Sequence, residues 1–524
     1  MFQFLYGPPG SGKTTIGKKL AERLDLPFTD LDEVIENQSG MHIPEIFSQE
    51  GESGFRERER QALSDVLNNG QGVIALGGGT LLNDENRSHV ERNGPVVCLR
   101  APFETLFSRL QAAQTVRPLL GRAKTVEVND GFYHRLQSLL EVRKAHYDSF
   151  PLQLETDNIS SDQVVETAQR LFGAFRVSGM GPDYDIRIIS HGLKLIGNLL
   201  KERDLKGPVA LVSDGNVGEY YTKSVIQALG AAGYAAKSII IPAGEEYKTI
   251  DTVGSLWKQF LDAGIERGST IIALGGGVVS DLVGFAAATY LRGVPWVVVP
   301  TSLLAMVDAS LGGKTGADLP EGKNLIGAFY PPKLVLVDPI TLNTLPREEL
   351  CSGFAEVVKA AIIADPNLFS ISKAGWQVIE ANWDEVIRRA MAAKIEVIQA
   401  DPFEKGIRAS LNLGHTIGHA VEKVSAYQIR HGEAVAIGMV AEARLGDAIG
   451  ISEAGLADEI ESVLKNLNLP TRLPEDLDRQ KILGAMRVDK KKAGGQVLFA
   501  LPVRIGEVRI GINIPDLETL FLNL

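Results

Sequence analysis

The chain alternates short apolar runs with stretches whose apolar residues recur every three or four positions. Phe2–Tyr6, VIAL (73–76) and VVCLR (96–100) are long and apolar enough for buried strands, and Ser161–Phe172 carries the spacing of a closing amphipathic helix. Alternation of that kind predicts a parallel α/β sheet over residues 1–172. Residues 173–183 (GAFRVSGMGPD) are rich in Gly, contain a Pro and lack an apolar period, so they are expected to be a linker. Beyond them VALVSDG, SIIIPAGE, TIIALGGG, WVVVPTS and LVLVD read as buried strands, each followed by turn residues, which predicts a second, Rossmann-like α/β domain over 184–345. From Glu348 to Leu469 strand signals vanish, and FAEVVKAAIIA and AVAIGMVAEARLGDAIG repeat at helical spacing. An all-α domain is expected over 346–524. No period of 20–50 residues is present, which excludes a solenoid.

Length agrees with several domains, since 524 residues exceed what one core serves. A formal net charge of -11 argues against nucleic acid as a partner and leaves any anionic ligand to local basic clusters. No apolar run approaches the roughly 20 residues of a membrane span. The start MFQFLYGPPG lacks a basic leader. The expectation is a cytoplasmic protein without a membrane partner. Cys98 and Cys351, the only 2 cysteines, make neither a disulfide framework nor a thiolate zinc site, and are expected in the core.

The chemistry starts at GPPGSGKT. Strand, Gly-rich loop and helix match G-x-x-x-x-G-K-[ST], in which backbone N–H groups wrap a polyphosphate, Lys13 reaches the β/γ-phosphates and the Thr14 hydroxyl faces Mg2+. FTDLDEVIE, GESGFRERE, IALGGG, TVRPLL and VRKAHY follow in order. Together these motifs resemble shikimate kinase across nearly all of residues 1–172. The resemblance implies ATP phosphates on Gly10, Ser11, Gly12, Lys13, Thr14 and Thr15, and Mg2+ on Thr14 with Asp30 nearby. It implies shikimate hydroxyls on Asp32, which can also accept a hydroxyl proton, and the shikimate carboxylate on Arg56 and Arg143. Gly78 would approach the ring, and Arg117 would reach the nucleotide from a lid. A pair of arginines suits a carboxylate, and phosphoryl transfer is mostly positioning and charge neutralisation. His134 and His146 have no partner pattern and are read as surface or core residues.

IALGGG recurs at Ile272–Gly277, ahead of the apolar helix VVSDLVGFAAATYLRG. Its glycines suit either close helix–strand packing or a phosphate at a helix N-terminus, and GGGVVSD is not the G-x-G-x-x-G dinucleotide pattern. Further on, His415 and His419 stand at i, i+4 in HTIGH, and His431 follows in HGE. Two histidines and a carboxylate with one open position make a catalytic zinc site. Spacing alone selects His415 and His419 as the pair.

PAGEEYKT, GGGVVSDLVGF, TYLRG, VPTSLLAMVDASLGGKTG, GKNLIGAFYPP, AEVVKAA, LNLGHTIGHA and HGEAVAIGM occur in that order, and residues 180–524 thereby resemble 3-dehydroquinate synthase. That family implies NAD+, Zn2+ (or Co2+), and 3-deoxy-D-arabino-heptulosonate 7-phosphate as substrate. It moves the metal ligands to Glu356, His415 and His431 and leaves His419 as a catalytic partner near the phosphate. Lys314, Lys323, Lys359, Lys394 and Arg408 fall on its basic positions, with Asn324 and Asn412 as hydrogen-bonding partners. Arg292 matches a residue supplied by a neighbouring subunit, which implies a homodimer. NAD+ contacts are implied for Asp214, Asn216, Ala243, Gly244, Glu245, Glu246, Tyr247 and Lys248. Further contacts are implied for Gly277, Val278, Val279, Ser280, Asp281, Thr301, Ser302, Thr341, Leu342, Asn343 and Thr344, with Lys314 and Lys323 beside the cofactor and Asp308 near the nicotinamide ribose and metal. Within Asp489-Lys490-Lys491, either lysine can be the one that contacts substrate. In that chemistry NAD+ takes a hydride, phosphate is eliminated, and NADH returns the hydride before the ring opens and recloses, so the cofactor is catalytic.

A metal-dependent polyol dehydrogenase fused to another P-loop kinase would account for the glycines and histidines. It would not account for GGKTG, GKNLIG and the Lys394/Arg408 pair, which call for a multiply anionic substrate. A regulatory or scaffold module is disfavoured because the motif positions are filled.

Overall fold

Two sheets, each with a loop or helix end at the point where strand order reverses, position everything that follows. The computed structural model of the chain describes residues 2–68, 70–113, 120, 131–402, 406–490 and 497–524. It divides into two units, Met1–Arg176 and Val177–Leu524.

In the first unit β1 (Phe2–Tyr6), β2 (Phe28–Asp30), β3 (Gly72–Ala75), β4 (Val96–Arg100) and β5 (Leu152–Glu155) form a parallel sheet in the order β2-β3-β1-β4-β5. Neighbouring residues of β1 feed different cores: Phe4 and Tyr6 pack with Ile74 and Phe150, while Leu5 packs with Ile16, Val73 and Leu99. Burial on both faces explains why the strands read as continuous apolar runs. The chain leaves β1 for one side and returns to the other, so the crevice beyond Tyr6 is the switch point where α/β sheets take ligands. The closing helix is Ser161–Phe172, as expected, with a Ser160/Gln163 capping box and Gly173 ending it at φ 61.

The segment expected to be a linker differs. Strand β6 (Ala174–Val177) spans the division between the units, so the irregular part is shorter than 173–183. A strand of 4 residues within a Gly-rich stretch is too short to show a period in the sequence.

The second unit has a parallel sheet built from β7 (Tyr184–Ile188), β8 (Val209–Asp214), β9 (Ala236–Ile241), β10 (Thr270–Gly275) and β11 (Trp296–Pro300). An antiparallel hairpin, β12 (Lys314–Leu319) and β13 (Gly322–Phe329), interrupts the series before β14 (Leu334–Val337) completes the sheet. From Tyr184 onward the strand order is β7-β14-β11-β10-β8-β9. The reversal lies between β8 and β10, whose carboxyl ends carry Asp214 and the second glycine triplet.

The last part is helical but not all-α: β15 (Leu498–Arg504) and β16 (Glu507–Asn513) pair antiparallel. EVRIGIN alternates exposed with half-buried positions, a period of two that lies beyond the helical stretch ending near Leu469. Three helices matter most: Arg347–Ala364, His415–Val424 and His431–Ala448. Their backbones touch through glycine. A Cβ on Gly438 would stand 1.9 Å from the Gly414 carbonyl oxygen, and one on Gly432 would stand 1.8 Å from that of Ser352. Helices bearing side chains at such contacts sit ~8–10 Å apart, so any residue but glycine would push these two crossings open. Among the described residues, no helix is long and apolar enough to cross a membrane. Cys98 and Cys351 are buried and unpaired with each other, as expected.

Gly438→Ala is expected to destabilise the chain by about 3 kcal/mol, at the upper end of overpacking costs. Gly484→Ala, where a Cβ meets nothing within 4 Å, should instead stabilise a helix by roughly 0.5 kcal/mol. Urea unfolding of both variants checks the contrast; equal and small effects would show that the crossing tolerates a side chain.

Candidate functional site

Each unit presents one site, and both are built at the carboxyl ends of parallel strands. In the first, Gly7, Gly10 and Gly12 all hold positive φ, and a Cβ on Gly7 would lie 2.3 Å from the Leu99 carbonyl oxygen. Gly12 precedes the helix Lys13–Leu24 with no side-chain cap, which leaves the first amides of that helix for a ligand. Lys13 Nζ rests on the Gly7 and Pro8 carbonyls at 2.9 and 3.0 Å, and Thr14 donates to Asp30 at 2.7 Å. Thr15 is exposed beside it. Ser11 Oγ is buried without a hydrogen-bond partner, an orphan that a phosphate oxygen would satisfy.

The first glycine triplet holds the other half of this site. A Cβ on Gly77 would meet Asp32 Oδ1 at 3.1 Å, and one on Gly79 would meet Arg56 Nη2 at 2.8 Å and Arg143 Nη1 at 3.3 Å. The two arginines thus converge over Gly79. Arg143 Nη1 and the hydroxyls of Tyr147 and Tyr6 donate to the Gly78 carbonyl at 3.1, 2.7 and 3.3 Å. His146, read as a histidine without a partner, lies 3.1 Å from the Tyr6 hydroxyl. Glu59 is buried, takes Arg56 at 2.7 Å and Thr80 at 2.6 Å, and so aims the arginine. Its role was missed, although it is the last residue of FRERE. Arg117 lies outside the described residues.

In the second unit, Asp214 caps the helix Gly215–Ala231 by accepting from the Asn216 and Val217 amides at 2.8 and 2.9 Å. The helix Gly277–Thr289 begins after Gly276 with no side-chain cap, directly at the switch point, so its amides suit a phosphate. Gly277, Val278, Val279, Ser280 and Asp281 form its first turns. Thr301 donates its amide to the Gly275 carbonyl at 3.0 Å, and the Ser302 hydroxyl lies 3.4 Å from where a Gly276 Cβ would be. The short helix Pro339–Thr344 is fastened by Tyr221, whose hydroxyl meets the Thr341 carbonyl and Thr344 Oγ1 at 3.2 and 2.5 Å. The loop 243–248 follows β9, and its Glu245 pairs with Lys323 at 3.3 Å. Lys323 also stands 4.7 Å over the Tyr427 ring. Lys314 and Asn324 are exposed on the β12–β13 hairpin, Asn412 and His419 are exposed near the His415 helix, and Arg292 is exposed on a turn at φ 67. Arg408 is buried, with Nη1 on the Pro402 carbonyl at 2.7 Å. Lys490 ends a helix, and Lys491 lies outside the described residues.

The centre of the site is a cluster of buried charge. Asp308, on a π-helical turn (Ala305–Ala309), binds Lys394 through its carboxylate and, at 2.9 Å, through its backbone carbonyl. Lys359 pairs with Glu356 Oε2. These four side chains line one narrow cleft with Val307 and Leu411. Burial pulls the Lys394 ammonium down; Asp308 opposes the shift and Lys359 adds to it.

Glu356 Oε1 is buried and lacks a hydrogen bond, yet His415 Nε2 and His431 Nε2 point to it from 3.5 and 3.6 Å. Two ligands ~2.1 Å from a tetrahedral zinc ion stand ~3.4 Å apart, so the three donors fit such an ion. Their far sides are fastened: His415 Nδ1 lies 3.1 Å from the Leu413 carbonyl and His431 Nδ1 3.2 Å from Glu422. That is the outer support usual for metal histidines. Glu356, His415 and His431 form one donor group, and His419 belongs instead to a second with Glu422 and His431. The pair chosen by i, i+4 spacing is therefore not the pair that converges with Glu356. Glu422, at i+7 from His415, was missed despite lying on the same face as the two histidines. Also missed was Glu442, whose carboxylate accepts the Gly414 and Ile417 amides at 2.6 and 3.3 Å and replaces the absent cap of the His415 helix.

Burial, then Lys359, pull His415 down to about 3. Burial also pulls on His431, but the carboxylates of Glu356 and Glu422 beside it win and lift it to about 10. Burial pushes the Glu356 carboxyl up, and Lys359 with the two histidines outweighs it, holding the group well below the usual range.

Comparison with known proteins bears on both units. Residues 9–171 match the shikimate kinase family, residues 238–352 the N-terminal and 353–492 the C-terminal part of 3-dehydroquinate synthase. The 3-dehydroquinate synthase of a Synechococcus species is 47% identical over 342 residues, covering 64% of this chain and 93% of its own. That of a Synechocystis species is 44% identical over 340 residues, covering 64% and 94%. Among solved structures, a 2-epi-5-epi-valiolone synthase from Streptomyces hygroscopicus with NAD+ and Zn2+ bound is similar at 28% identity and a TM-score of 0.59. That match covers 67% of this chain and 99% of that one.

Only deprotonated groups bind zinc, so an ion held by Glu356, His415 and His431 would displace the proton of His431, whose pKa is lifted to about 10. Zinc binding at about pH 6, below the range in which zinc-bound water ionises, is expected to release close to one proton. His415 and Glu356 contribute none, being already deprotonated there. Affinity then rises about tenfold per pH unit on the acid side of that pKa. Calorimetric titration in buffers of different ionisation enthalpy reads the number; a value near zero would contradict the pairing of His431 with two carboxylates.

Proposed function

We propose, for a chain that belongs to the 3-dehydroquinate synthase family and carries a shikimate kinase domain ahead of it, that each activity runs on the residues assembled above. One activity phosphorylates shikimate with ATP. The other converts 3-deoxy-D-arabino-heptulosonate 7-phosphate to 3-dehydroquinate and phosphate. The observation that carries the second is the cleft in which Asp308, from the α/β part, meets Glu356, Lys359 and Lys394, from the helical part. This supports assigning 184–345 to NAD+ and 346–524 to metal and substrate.

In the kinase unit, Arg56 and Arg143 clasp the shikimate carboxylate above Gly79, and Asp32 takes the proton of the attacking hydroxyl. Lys13 exchanges the Gly7 and Pro8 carbonyls for phosphate oxygens, while Thr14 and Asp30 serve Mg2+. Arg117 completes the charge neutralisation that phosphoryl transfer needs.

In the synthase unit, Glu356, His415 and His431 hold the metal, zinc or cobalt. Bound NAD+ supplies a reversible hydride acceptor, and the metal supplies a Lewis acid for the oxidised alcohol. The chain's own residues do the rest. Lys359, Lys394 and Arg408, all within the protein, balance a substrate bearing both a carboxylate and a phosphate; Lys314, Asn324, Asn412 and a lysine of the Lys490–Lys491 pair complete its hydrogen bonding. His419 stands beside the metal group, its ring 5.1 Å from that of His415, where it can shuttle a proton to departing phosphate. A polyol dehydrogenase would have no use for three buried or half-buried cations here.

Arg292 is read as reaching the site of a second copy, making the enzyme a homodimer. Support comes from its exposed turn, from neighbouring exposed Leu291, and from Leu325 and Phe329 on β13, 53% and 69% exposed. Tyr330 ties that strand to the turn by donating to the Val294 carbonyl at 3.0 Å. The cytoplasm, with its ATP and NAD+, is the compartment this reading assumes.

The whole chain is expected to release phosphate from the heptulosonate phosphate without net accumulation of NADH, and to phosphorylate shikimate with ATP. A zinc-selective chelator in excess Mg2+ should abolish the first reaction and spare the second. Net reduction of NAD+ with glycerol, or a chelator-resistant synthase, would overturn the assignment.

A further inference from the structure

One buried cation joins motifs that the reaction scheme treats separately. Lys248 ends PAGEEYK after β9, and its side chain is 6% exposed. Its ammonium lies 2.6 Å from Asp281 Oδ2 and 2.6 Å from Asn324 Oδ1. Asp281 sits in the second turn of the helix at the dinucleotide switch point, and Asn324 on β13. The backbone repeats the connection: the Lys248 carbonyl accepts from the Asp318 amide at 2.7 Å, and Asp318 Oδ1 accepts from the Asn324 amide at 2.7 Å. Asn324 is held at φ 55, a left-handed conformation that asparagine tolerates better than most residues.

An ammonium can only donate hydrogen bonds. The ordinary ambiguity of an asparagine amide is therefore removed: its oxygen must face Lys248, and its Nδ2 turns outward as a donor. A donor at that place suits an acceptor oxygen of an anionic sugar acid. Without Lys248 the amide could rotate freely, and Asp281 would lose its buried counter-charge.

We infer that Lys248 is a positioning residue that couples the two ligands of the synthase, tying the amide that receives the sugar acid to the helix end that receives the dinucleotide. This rests on the assignment of NAD+ to Gly277–Asp281 and of substrate to Asn324. The coupling runs both ways, as any linkage between two binding sites must. Asn324 is not itself among the expected NAD+ contacts, yet its loss reaches NAD+ through the lysine.

The test is a set of full-length variants, with NAD+ affinity from NADH displacement and KM and kcat for the heptulosonate phosphate. Asn324→Ala is expected to raise the sugar-acid KM and also to weaken NAD+ binding roughly fivefold or more. In a Lys248→Met background the same substitution should leave NAD+ affinity unchanged, and its effect on KM should not multiply with that of the lysine. Should Lys248→Met fail to fold with Asp281 unpaired, Lys248→Met with Asp281→Asn removes both charges and should show the same insensitivity. Unchanged NAD+ affinity in Asn324→Ala, or multiplicative effects in the double variant, would overturn the coupling while leaving the proposed function intact. A wild-type chain that turns over no heptulosonate phosphate would overturn both.

Discussion

The synthase site depends on backbone-to-backbone contact between helices. Gly438 lies against Gly414 and Gly418, and Gly432 against Ser352, with no room for a Cβ. Only this approach lets donors from the helices Arg347–Ala364, His415–Val424 and His431–Ala448 meet within a few ångströms. The same closeness excludes water from Glu356 and Lys359. Burying ion pairs costs about as much as their attraction returns, so the two pairs Glu356–Lys359 and Asp308–Lys394 are poor devices for stability. Their placement is explained by chemistry: paired, dry charges form a site ready for a charged substrate and a cation. Glu442 extends the same logic, spending a wholly buried carboxylate on the start of the helix that carries His415.

A second constraint is shared by both units. Each parallel sheet reverses strand order at one point, and each reversal is followed by a helix whose N-terminus has no side-chain cap. The repeated IALGGG serves this geometry differently in its two places. Gly77–Gly79 do not open a helix that receives phosphate. They clear space for Asp32, Arg56 and Arg143, while the loop after β1 leads into the uncapped helix Lys13–Leu24. Gly275–Gly277 do turn a strand into an uncapped helix, and a Cβ on Gly275 would strike Val279 at 2.6 Å. Identical letters reflect a common need for close backbone approach, not duplication.

Much of this was legible in the sequence, and the limits have physical causes. Strands buried on both faces show as apolar runs, and the closing helix Ser161–Phe172 was readable from its apolar period. Strand β6 was hidden because four residues show no pattern, and the β15–β16 hairpin because its alternation follows a long helical stretch. At the Glu356–His415–His431 cluster, spacing along one helix placed His415 beside His419, but direction decides which donors converge. His415 turns toward Glu356 because its other nitrogen faces the Leu413 carbonyl, a detail no spacing encodes. Glu59, Glu422 and Glu442 went unassigned for a related reason: each acts by holding another group in place, and only tertiary contacts show what is held.

Three glycine-packed helices bring Glu356, His415 and His431 together as one group of donors that fits a zinc ion. Zinc-edge X-ray absorption on the whole purified chain tests it most directly. One zinc per chain is expected, bound by two imidazole nitrogens and by oxygens alone, at ~2.0–2.2 Å. The signal should disappear in Glu356→Gln and persist in His419→Ala. A third imidazole in the first coordination shell, or zinc lost with His419 and retained without Glu356, would contradict it.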